Sequence, residues 1–477
     1  MNIKLSQVGP RGINKECFPN IISRRQTIFV EMNVEALHGL AVILIPIIVI
    51  GLLKRSTITA AIATVLYLFA AFYLLDRIDE AVSFWISGAY TGSLISMVVL
   101  ASIYFYNVYK YLGYERRIAN LLKEKREVQL SLATFFAGFI EGVSGFGIPV
   151  AVVAPLLYTM GVPAVVAVSS VMVGHTWAVP FASMGVPTAV LATLTETDVF
   201  ELSTLTGIYM SFSLTVAVVV ISRLLKTPVI RTIMYALMSF LVYPIAIALG
   251  PITGSVAGIT LFTISTIEAL GFSDTLKVLS ELKPYLFLTL VLMTASFLGF
   301  RGLEVASFLI ALSGVIVQLV SKRVGKEPVI NAVKMAWKPF MAITLFASAA
   351  EMAGKGGFMY SLAQVIASSV GIYYFYAVPL IGALGAYFTG SNTTSNIVFA
   401  KLQEGYAEFI GVNKPQLLAL QNTGGGIGSM SSPSKIAVGA STTEGEEIES
   451  DVFRTVVKIL PFVLLPQVII AMLIPLR

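Results

Sequence analysis

The chain has 477 residues, of which 56% are hydrophobic and only 12% are charged, and its mean hydropathy is +0.85. Soluble domains carry about a quarter charged residues, so this composition excludes them and predicts an all-α polytopic protein of the cell membrane. The net charge of +6 is explained by basic loops that orient membrane helices, and nucleic-acid binding is not expected.

Cysteine and histidine usage argues against cofactor chemistry. Cys17 is the single cysteine, and the two histidines, His38 and His175, are far apart in the sequence. An intrachain disulfide, an iron–sulfur cluster and a multi-thiolate metal site are therefore excluded, and neither an H-E-x-x-H nor a paired Asp motif is present. We expect neither an enzyme nor a bound metal or cofactor.

In chain order, residues 1–31 are polar and basic and lack the apolar stretch of a signal peptide, so they are predicted to be a disordered tail. Residues 32–229 are predicted as a first repeat, 230–282 as connector spans and 283–477 as a second, inverted repeat. The first repeat contains predicted spans at 36–53, 57–75 and 82–107, a charged link at 110–126, a hairpin at 129–160, a broken span at 163–193 and a span at 202–222.

The rest of the chain repeats this order. After connector spans at 232–249 and 252–271 come spans at 284–300, 304–320 and 333–352, a link at 354–371, a hairpin at 373–403, a broken span at 415–441 and a span at 454–475. Each half of a hairpin is short for a span of about 20 residues, which predicts a re-entrant turn. With five crossings in each half and two between them, the prediction is about 12 transmembrane helices, with two re-entrant hairpins and two broken helices.

Two pairs of breaks indicate the repeat. Glu141-Gly-Val-Ser-Gly-Phe-Gly-Ile-Pro149 and the break at 174–177 correspond to the breaks at 389–396 and 421–426. Glu196-Thr-Asp-Val-Phe200 is echoed by Glu449-Ser-Asp-Val-Phe453. Glycine-interrupted apolar segments at matching places in two halves are typical of the binding site of a secondary transporter.

Basic loops test the predicted layout. The loops at 110–126, 223–231 and 322–326 are all rich in Lys and Arg and should be cytoplasmic. These loops lie on one side only if the hairpin at 129–160 does not cross the membrane. With five crossings in each half and two between them, the second half then starts on the opposite side from the first, so the two repeats are inverted. The basic tail at 1–31 disagrees, because this layout places it outside.

A small carboxylate at the membrane centre needs donors, yet a fixed Arg or Lys there costs about 2.5–3.5 kcal/mol on insertion scales. Helix N-termini offer N–H groups and a partial positive charge instead, and glycine lets a ligand approach the backbone closely. The alternative for the small residues is helix packing. The candidate substrate-binding residues are Ser144, Gly145, Phe146, Gly147, His175, Thr176, Gly390, Ser391, Asn392, Thr393, Thr394, Asn396, Asn422, Thr423, Gly424 and Gly425.

Glu141 and His175 are the candidates for carrying a coupled proton. Burial disfavours the charged form of a carboxyl, so Glu141 can hold a proton that enters with an anion. The alternatives are a hydrogen-bonded structural acid and a satisfied interior histidine. Lys435 is either a counter-ion at the second break or an interfacial anchor.

These motifs resemble the L-lactate permease family. Residues 141–149 are similar to its E-G-x-x-G-F-G-x-P, and residues 389–396 to its T-G-S-[DN]-T-x-S-N; further matches are Asn422-Thr-Gly-Gly425 and Asp451-Val-Phe-Arg454. The resemblance implies proton symport of a 2-hydroxymonocarboxylate (L-lactate, D-lactate or glycolate) and the wider ion-transporter fold, with transport and scaffold domains.

This chain differs from many relatives at three positions: those relatives carry Asp where it has Asn392, Lys where it has Ser429 and Asn near its His175. A sodium-coupled or exchanging carrier for another organic anion is therefore the alternative function. Whether the chain forms a homodimer is left open by the sequence.

Overall fold

The computed structural model describes residues 34–145, 147–300, 302–443 and 448–474, and within these ranges the chain is helical without a strand. The predicted tail at 1–31 lies outside the described residues. The first part of the chain forms helices Val34–Pro46, Thr57–Leu74, Ile78–Tyr111, Tyr114–Leu122, Ala137–Ser144, Ile148–Thr159, Ala164–Gly174, Ala182–Leu194 and Val199–Leu224, with short turns Ile47–Leu52, Arg126–Val128, Gln129–Ser131, Leu132–Phe136 and Thr176–Phe181.

The connector and the second part follow in the predicted order. The connector consists of Val229–Met238, Ser239–Leu241, Val242–Leu249, Gly250–Ile252, Thr253–Leu270 and Phe272–Glu281. The second part consists of Lys283–Phe297, Leu303–Val320, Glu327–Lys355, Phe358–Val370, Tyr373–Thr389, Asn392–Ile410, Lys414–Gly428, Ser429–Ser431, Pro433–Ser441 and Glu449–Leu473.

Side-chain caps fix where several of these helices begin. The Asp198 carboxylate accepts a hydrogen bond from Glu201 N at 2.8 Å, and the side-chain oxygen of Asn413, Oδ1, accepts one from Gln416 N at 2.8 Å. Each cap satisfies an N–H that has no partner inside its helix. Asp198 belongs to the Glu-Thr-Asp-Val-Phe motif, so the first copy of that motif marks the start of a long apolar helix.

Eight helices in the described part are long and apolar enough to cross a membrane, or up to nine if each bent pair is one span. One of the eight, Val229–Leu270, turns back on itself at Gly250, which has a φ of 59°. Arg231 and Glu268, near its two ends, form an ion pair at 2.9 Å. The connector therefore contains two antiparallel helices, as predicted, whereas the number twelve stays a prediction.

Both predicted hairpins are helical hairpins. In hairpin 1 (residues 129–159), the chain reverses at Gly145 and Gly147, whose φ angles are 66° and 78°. In hairpin 2 (residues 373–410), it reverses at Gly390, with a φ of 72°. A side chain at any of these three positions would be strained, so glycine sets where the arms turn.

The hairpins enter the bundle from opposite ends. Arg231, just after the basic end of helix Val199–Leu224, donates to Glu127 O at 3.2 Å, at the open end of hairpin 1. Lys414, just after hairpin 2, donates to Thr195 O at 2.8 Å, just before the other end of the same helix. The two hairpins therefore enter from opposite ends of this helix, and the inverted relation of the two halves stays a prediction.

Both predicted broken spans are broken, and one break is displaced. Broken helix 1 (residues 164–194) is irregular from His175 through the left-handed residues Ser183, Met184 and Gly185. In broken helix 2 (residues 414–441) the prediction of a break at 421–426 was wrong, because Lys414–Gly428 is one helix and the break lies at 429–432. Glycines at 424–426 allow close packing of this helix, and they do not interrupt it.

Two segments predicted as links are helices. Tyr114–Leu122 packs Ile118 and Leu122 inward, and Phe358–Val370 occupies the matching place in the second half. Each of these two helices follows a long helix, Ile78–Tyr111 in the first case and Glu327–Lys355 in the second, and the two long helices pack closely against each other. Gly88 faces the Cα of Ser348 and Gly92 faces that of Thr344, leaving no room for a Cβ.

Cysteine labelling tests the opposed hairpins. In a Cys17→Ser background, Arg223→Cys and Glu408→Cys place single exposed thiols at the two ends of the bundle. We expect a membrane-impermeant maleimide to label Glu408→Cys in intact cells and Arg223→Cys only after permeabilisation, because the basic end is cytoplasmic. Labelling of both thiols from the same side would contradict the arrangement.

Candidate functional site

All four interrupted elements contribute residues to the lining of one small cavity. Its volume is about 30 Å³, enough for one or two water molecules. Hairpin 1 contributes Glu141, broken helix 2 contributes Lys435, and hairpin 2 contributes its tip. The full lining is Glu141, Val179, Ala182, Ser183, Val186, Pro187, Gly390, Ser391, Asn392, Thr393 and Lys435.

The tip of hairpin 2 presents a helix N-terminus to this cavity. Ser391 has an extended backbone and its hydroxyl accepts a hydrogen bond from Thr394 N at 3.2 Å, so it caps helix Asn392–Ile410. The first turn of a helix carries N–H groups without intrahelical partners, and its dipole favours an anion. The tip therefore combines main-chain donors with the hydroxyls of Ser391 and Thr393.

Each broken helix contacts both hairpin tips. In broken helix 1, Ser183 donates to Ser144 O of hairpin 1 at 2.9 Å, and Pro187 O accepts from Asn396 Nδ2 of hairpin 2 at 3.0 Å. In broken helix 2, a Cβ at Gly390 would lie 2.6 Å from Ser434 Oγ. The next residue, Lys435, has its Cγ 3.8 Å from a Cβ built on Gly147.

Lys435 and Glu141 form a buried charge pair in the cavity wall. Lys435 Nζ lies 3.9 Å from Glu141 Oε1 and donates to Ser429 Oγ at 3.3 Å. The two side chains are 8% and 2% exposed, which rules out the interfacial-anchor role for Lys435. At about 4 Å and an effective dielectric constant of about 20 the attraction is about 4 kcal/mol, against a large desolvation cost. The expectation that no fixed cation stands at the site was wrong.

Asn422 links three elements behind the cavity. Its carbonyl accepts from Asn392 Nδ2 at 3.0 Å and from Asn396 Nδ2 at 2.8 Å. Its amide donates to Thr188 Oγ1 at 2.8 Å and to Thr206 Oγ1 at 3.2 Å. All four bonds of this side chain are used to join hairpin 2, broken helix 1 and helix Val199–Leu224, so its place in the structure is that of a brace.

The structure brings together some of the predicted site residues and leaves others behind them. Glu141, Gly390, Ser391, Asn392 and Thr393 line the cavity. Phe146 lies outside the described residues. The predicted residues that do not line the cavity are Ser144, Gly145, Gly147, His175, Thr176, Thr394, Asn396, Asn422, Thr423, Gly424 and Gly425.

Several of the predicted residues outside the cavity lining make contacts that explain a structural role for them. His175 is fully buried and its Nδ1 lies 2.7 Å from Val171 O. The hydroxyls of Thr176 and Thr423 donate to carbonyls of their own helices. Gly424 packs on the backbone of Pro379, and Gly425 packs on Asn392 Oδ1. Their roles in ligand binding stay predictions.

The sequence reasoning missed the segment 179–187, which supplies five of the eleven lining residues. Ser183 and Pro187 of this segment hold the two hairpin tips. The signal was present as Pro180, Gly185 and Pro187 within one apolar stretch, since proline and glycine mark breaks in a helix. We had placed the break only at 174–177.

Opposed hairpins and broken helices around a polar cavity define a multi-pass membrane transporter of the cell membrane. A model of the L-lactate permease family matches residues 35–252 and 291–477, and the chain belongs to this family. The family consists of permeases, which agrees with the prediction that the protein is not an enzyme.

Two similar curated proteins are L-lactate permeases that match this chain over most of their length, and a third is a glycolate permease that matches over a shorter segment. The L-lactate permease of Salmonella typhi is 25% identical over 493 residues, covering 85% of this chain and 89% of the relative. That of Escherichia coli K12 is 25% identical over 448 residues, covering 76% and 81%. The glycolate permease GlcA of Escherichia coli K12 is 35% identical over 126 residues, covering 26% and 22%.

Solved structures support the fold alone. The MtrF protein of Neisseria gonorrhoeae, described as one of a class of antimetabolite efflux pumps, has a TM-score of 0.51 at 13% identity and covers 87% of this chain and 94% of that chain. The YdaH transporter of Alcanivorax borkumensis also has a TM-score of 0.51 at 13% identity, with coverage of 87% and 98%.

Removing the Asn422 side chain tests the brace. Asn422→Ala leaves two buried amides without their acceptor, at about 1–3 kcal/mol for each unsatisfied group. We expect the melting temperature of the purified protein in detergent to fall by several degrees. The control is the neighbouring Thr423→Ala, which removes bonds only within its own helix; equal melting temperatures for both variants would contradict the brace.

Proposed function

We propose that this protein imports a small 2-hydroxymonocarboxylate, such as L-lactate or glycolate, by proton symport. The observation that carries the proposal is the cavity lined by residues of both hairpins and both broken helices. That cavity combines a helix N-terminus, neutral hydroxyls, one acid and one base. The names of the relatives, L-lactate permease and glycolate permease, support this substrate class.

The substrate carboxylate is assigned to the tip of hairpin 2. The N–H groups at the start of helix Asn392–Ile410 and the hydroxyl of Thr393 supply donors, and Lys435 supplies positive charge. The substrate hydroxyl can donate to the hydroxyl oxygen of Ser183, whose own hydrogen is used on Ser144 O, or to the carbonyl of Pro187, and both residues line the cavity. Val179, Ala182 and Val186 provide an apolar wall for the carbon chain.

Glu141 is assigned as the proton carrier. It is 1% exposed, it lines the cavity, and its Oε2 has no hydrogen-bond partner among the described residues. His175 also has one ring nitrogen, Nε2, without a partner there, but it does not line the cavity. Proximity to the substrate therefore favours Glu141.

Transport requires the cavity to open, because its present volume is too small for a three-carbon acid. A second cleft of about 340 Å³ shares the side chain of Val186 with the cavity and extends past Met184 to Asp198, at the end opposite the basic loops. This cleft is the route by which substrate reaches the site from outside. Exposing the same site to each side in turn is the mode of transporters with inverted repeats.

Uptake into proteoliposomes tests the function. We expect labelled lactate to accumulate when the exterior is made acidic relative to the interior, and a sodium gradient alone to drive no accumulation. Ionophores that collapse the proton gradient should abolish the uptake. Accumulation driven by sodium and indifferent to pH would establish the alternative, a sodium-coupled carrier.

Thr393→Val tests the assignment of hairpin 2 to the carboxylate. The change keeps the shape and removes one donor, and hydrogen bonds to charged groups contribute about 1.5–3 kcal/mol. We expect the KM for lactate to rise roughly tenfold or more, since about 1.4 kcal/mol corresponds to a factor of ten. Thr455→Val, whose hydroxyl donates to Asp451 O within its own helix away from the cavity, is the matched control and should leave KM within about twofold of the parent value, a change of under about 0.5 kcal/mol.

A further inference from the structure

Glu141 and Lys435 are the two titratable side chains of the cavity lining in the described part of the chain. They come from different repeats, Glu141 from hairpin 1 and Lys435 from the helix that follows the break in broken helix 2. Their 3.9 Å separation is too long for a hydrogen bond, and Glu141 Oε2 is buried without a partner among the described residues. Lys435 Nζ therefore faces both a carboxylate and the space in which an anion would sit.

We propose that Lys435 exchanges the Glu141 carboxylate for the carboxylate of the substrate, so that an anion binds only while Glu141 holds a proton. This inference rests on the proposed function and assigns its charge-selecting residue. When Glu141 is ionised, its charge and that of Lys435 cancel, and an entering anion would leave the site with an uncompensated negative charge. When Glu141 takes a proton, Lys435 loses its partner and the site attracts one anion.

The net charge of the site in each state predicts strict coupling of proton to anion. The empty site with an ionised Glu141 is neutral, and the site with a protonated Glu141 and one bound monocarboxylate is also neutral. The two remaining states, proton without anion and anion without proton, each carry one net charge. A net charge in an apolar, buried site is costly, so only the two neutral states change orientation readily. One proton then moves with one anion, and transport is electroneutral.

No other titratable side chain among the described residues lines the cavity, so none changes this charge count. The parts of hairpin 2 and broken helix 1 that line the cavity, residues 390–393 and 179–187, contain no titratable side chain. His175 is buried, its Nδ1 lies 2.7 Å from Val171 O, and it lies outside the cavity lining. A pH dependence that disappears with Glu141 is therefore assigned to Glu141.

Glu141→Gln fixes the site in its positive form. We expect exchange of labelled for unlabelled lactate across proteoliposomes to persist and to lose its pH dependence, whereas the exchange KM of the parent protein rises as pH rises. Proton-driven accumulation should be lost, because the empty variant carries a charge and returns slowly. An unchanged pH profile in Glu141→Gln would overturn the inference.

The double variant Glu141→Gln with Lys435→Gln separates folding from binding. Removal of both charges leaves no unpaired buried ion, so the double variant should fold with a melting temperature close to that of the parent. We expect its exchange KM for lactate to be at least about tenfold higher than that of Glu141→Gln, equivalent to about 1.4 kcal/mol of binding. Wild-type exchange by the double variant would contradict a counter-ion role for Lys435. Lys401→Gln, which removes a lysine paired with Glu404 away from the cavity, is the control and should keep wild-type exchange.

A thermal-shift series separates failure of this inference from failure of the proposed substrate. Acetate, lactate, glycolate and malonate are added at several pH values to the parent, Glu141→Gln and the double variant. Stabilisation of the parent only at low pH, of Glu141→Gln at every pH and of the double variant at none supports the pair exchange, even if the stabilising acid is not a hydroxy acid. Stabilisation or transport by lactate without this pattern refutes the exchange alone, and no stabilisation of the parent by any of the acids counts against both proposals.

Discussion

The structure depends on one constraint, which is that a main-chain break inside an apolar bundle must find hydrogen-bond partners within the protein. Here the breaks satisfy one another. Ser183 holds the carbonyl at the end of the first arm of hairpin 1, and Pro187 O accepts from Asn396 beyond the tip of hairpin 2. Broken helix 1 therefore supplies hydrogen-bond partners to both hairpins, and these three elements converge. The cavity lies where they converge, so the location of the site follows from the constraint.

The polar groups around this point divide into a fixed part and a responsive part. Asn422 uses all its hydrogen-bonding capacity to join hairpin 2 to two other elements, so it holds the site in shape. Glu141 and Lys435 are joined only by charge at 3.9 Å. A pair of this kind is costly to bury, and either member is costlier to bury alone. Our proposal assigns the response to a proton or an anion to this pair, and the Asn422 hydrogen bonds to the frame around it.

The sequence predicted the helices and the glycine turns of the hairpins well, because both depend on local properties. Uncharged apolar runs form membrane helices, and Gly145 and Gly390 take backbone conformations that other residues rarely adopt. The sequence analysis misplaced the break of broken helix 2. From the sequence alone, the glycines at 424–426 could equally interrupt a helix or allow it to pack closely against another. The packing partner, Pro379, decides between these, and it is distant in the chain. Lys435 was ambiguous for the same reason, since a lysine near a helix end can reach solvent or turn inward.

By itself the sequence determined a membrane protein, its family and the glycine turns of the two hairpins, because composition, motifs and local backbone preference are properties of short stretches of chain. Tertiary structure alone decided which polar groups share a cavity. It joined Glu141 to Lys435 across the two repeats, added Ser183 and Pro187 from an unrecognised break, and moved Asn422 and His175 out of the lining. Contact between residues this far apart depends on how the helices pack, and helix packing is set by side-chain shape at many positions at once.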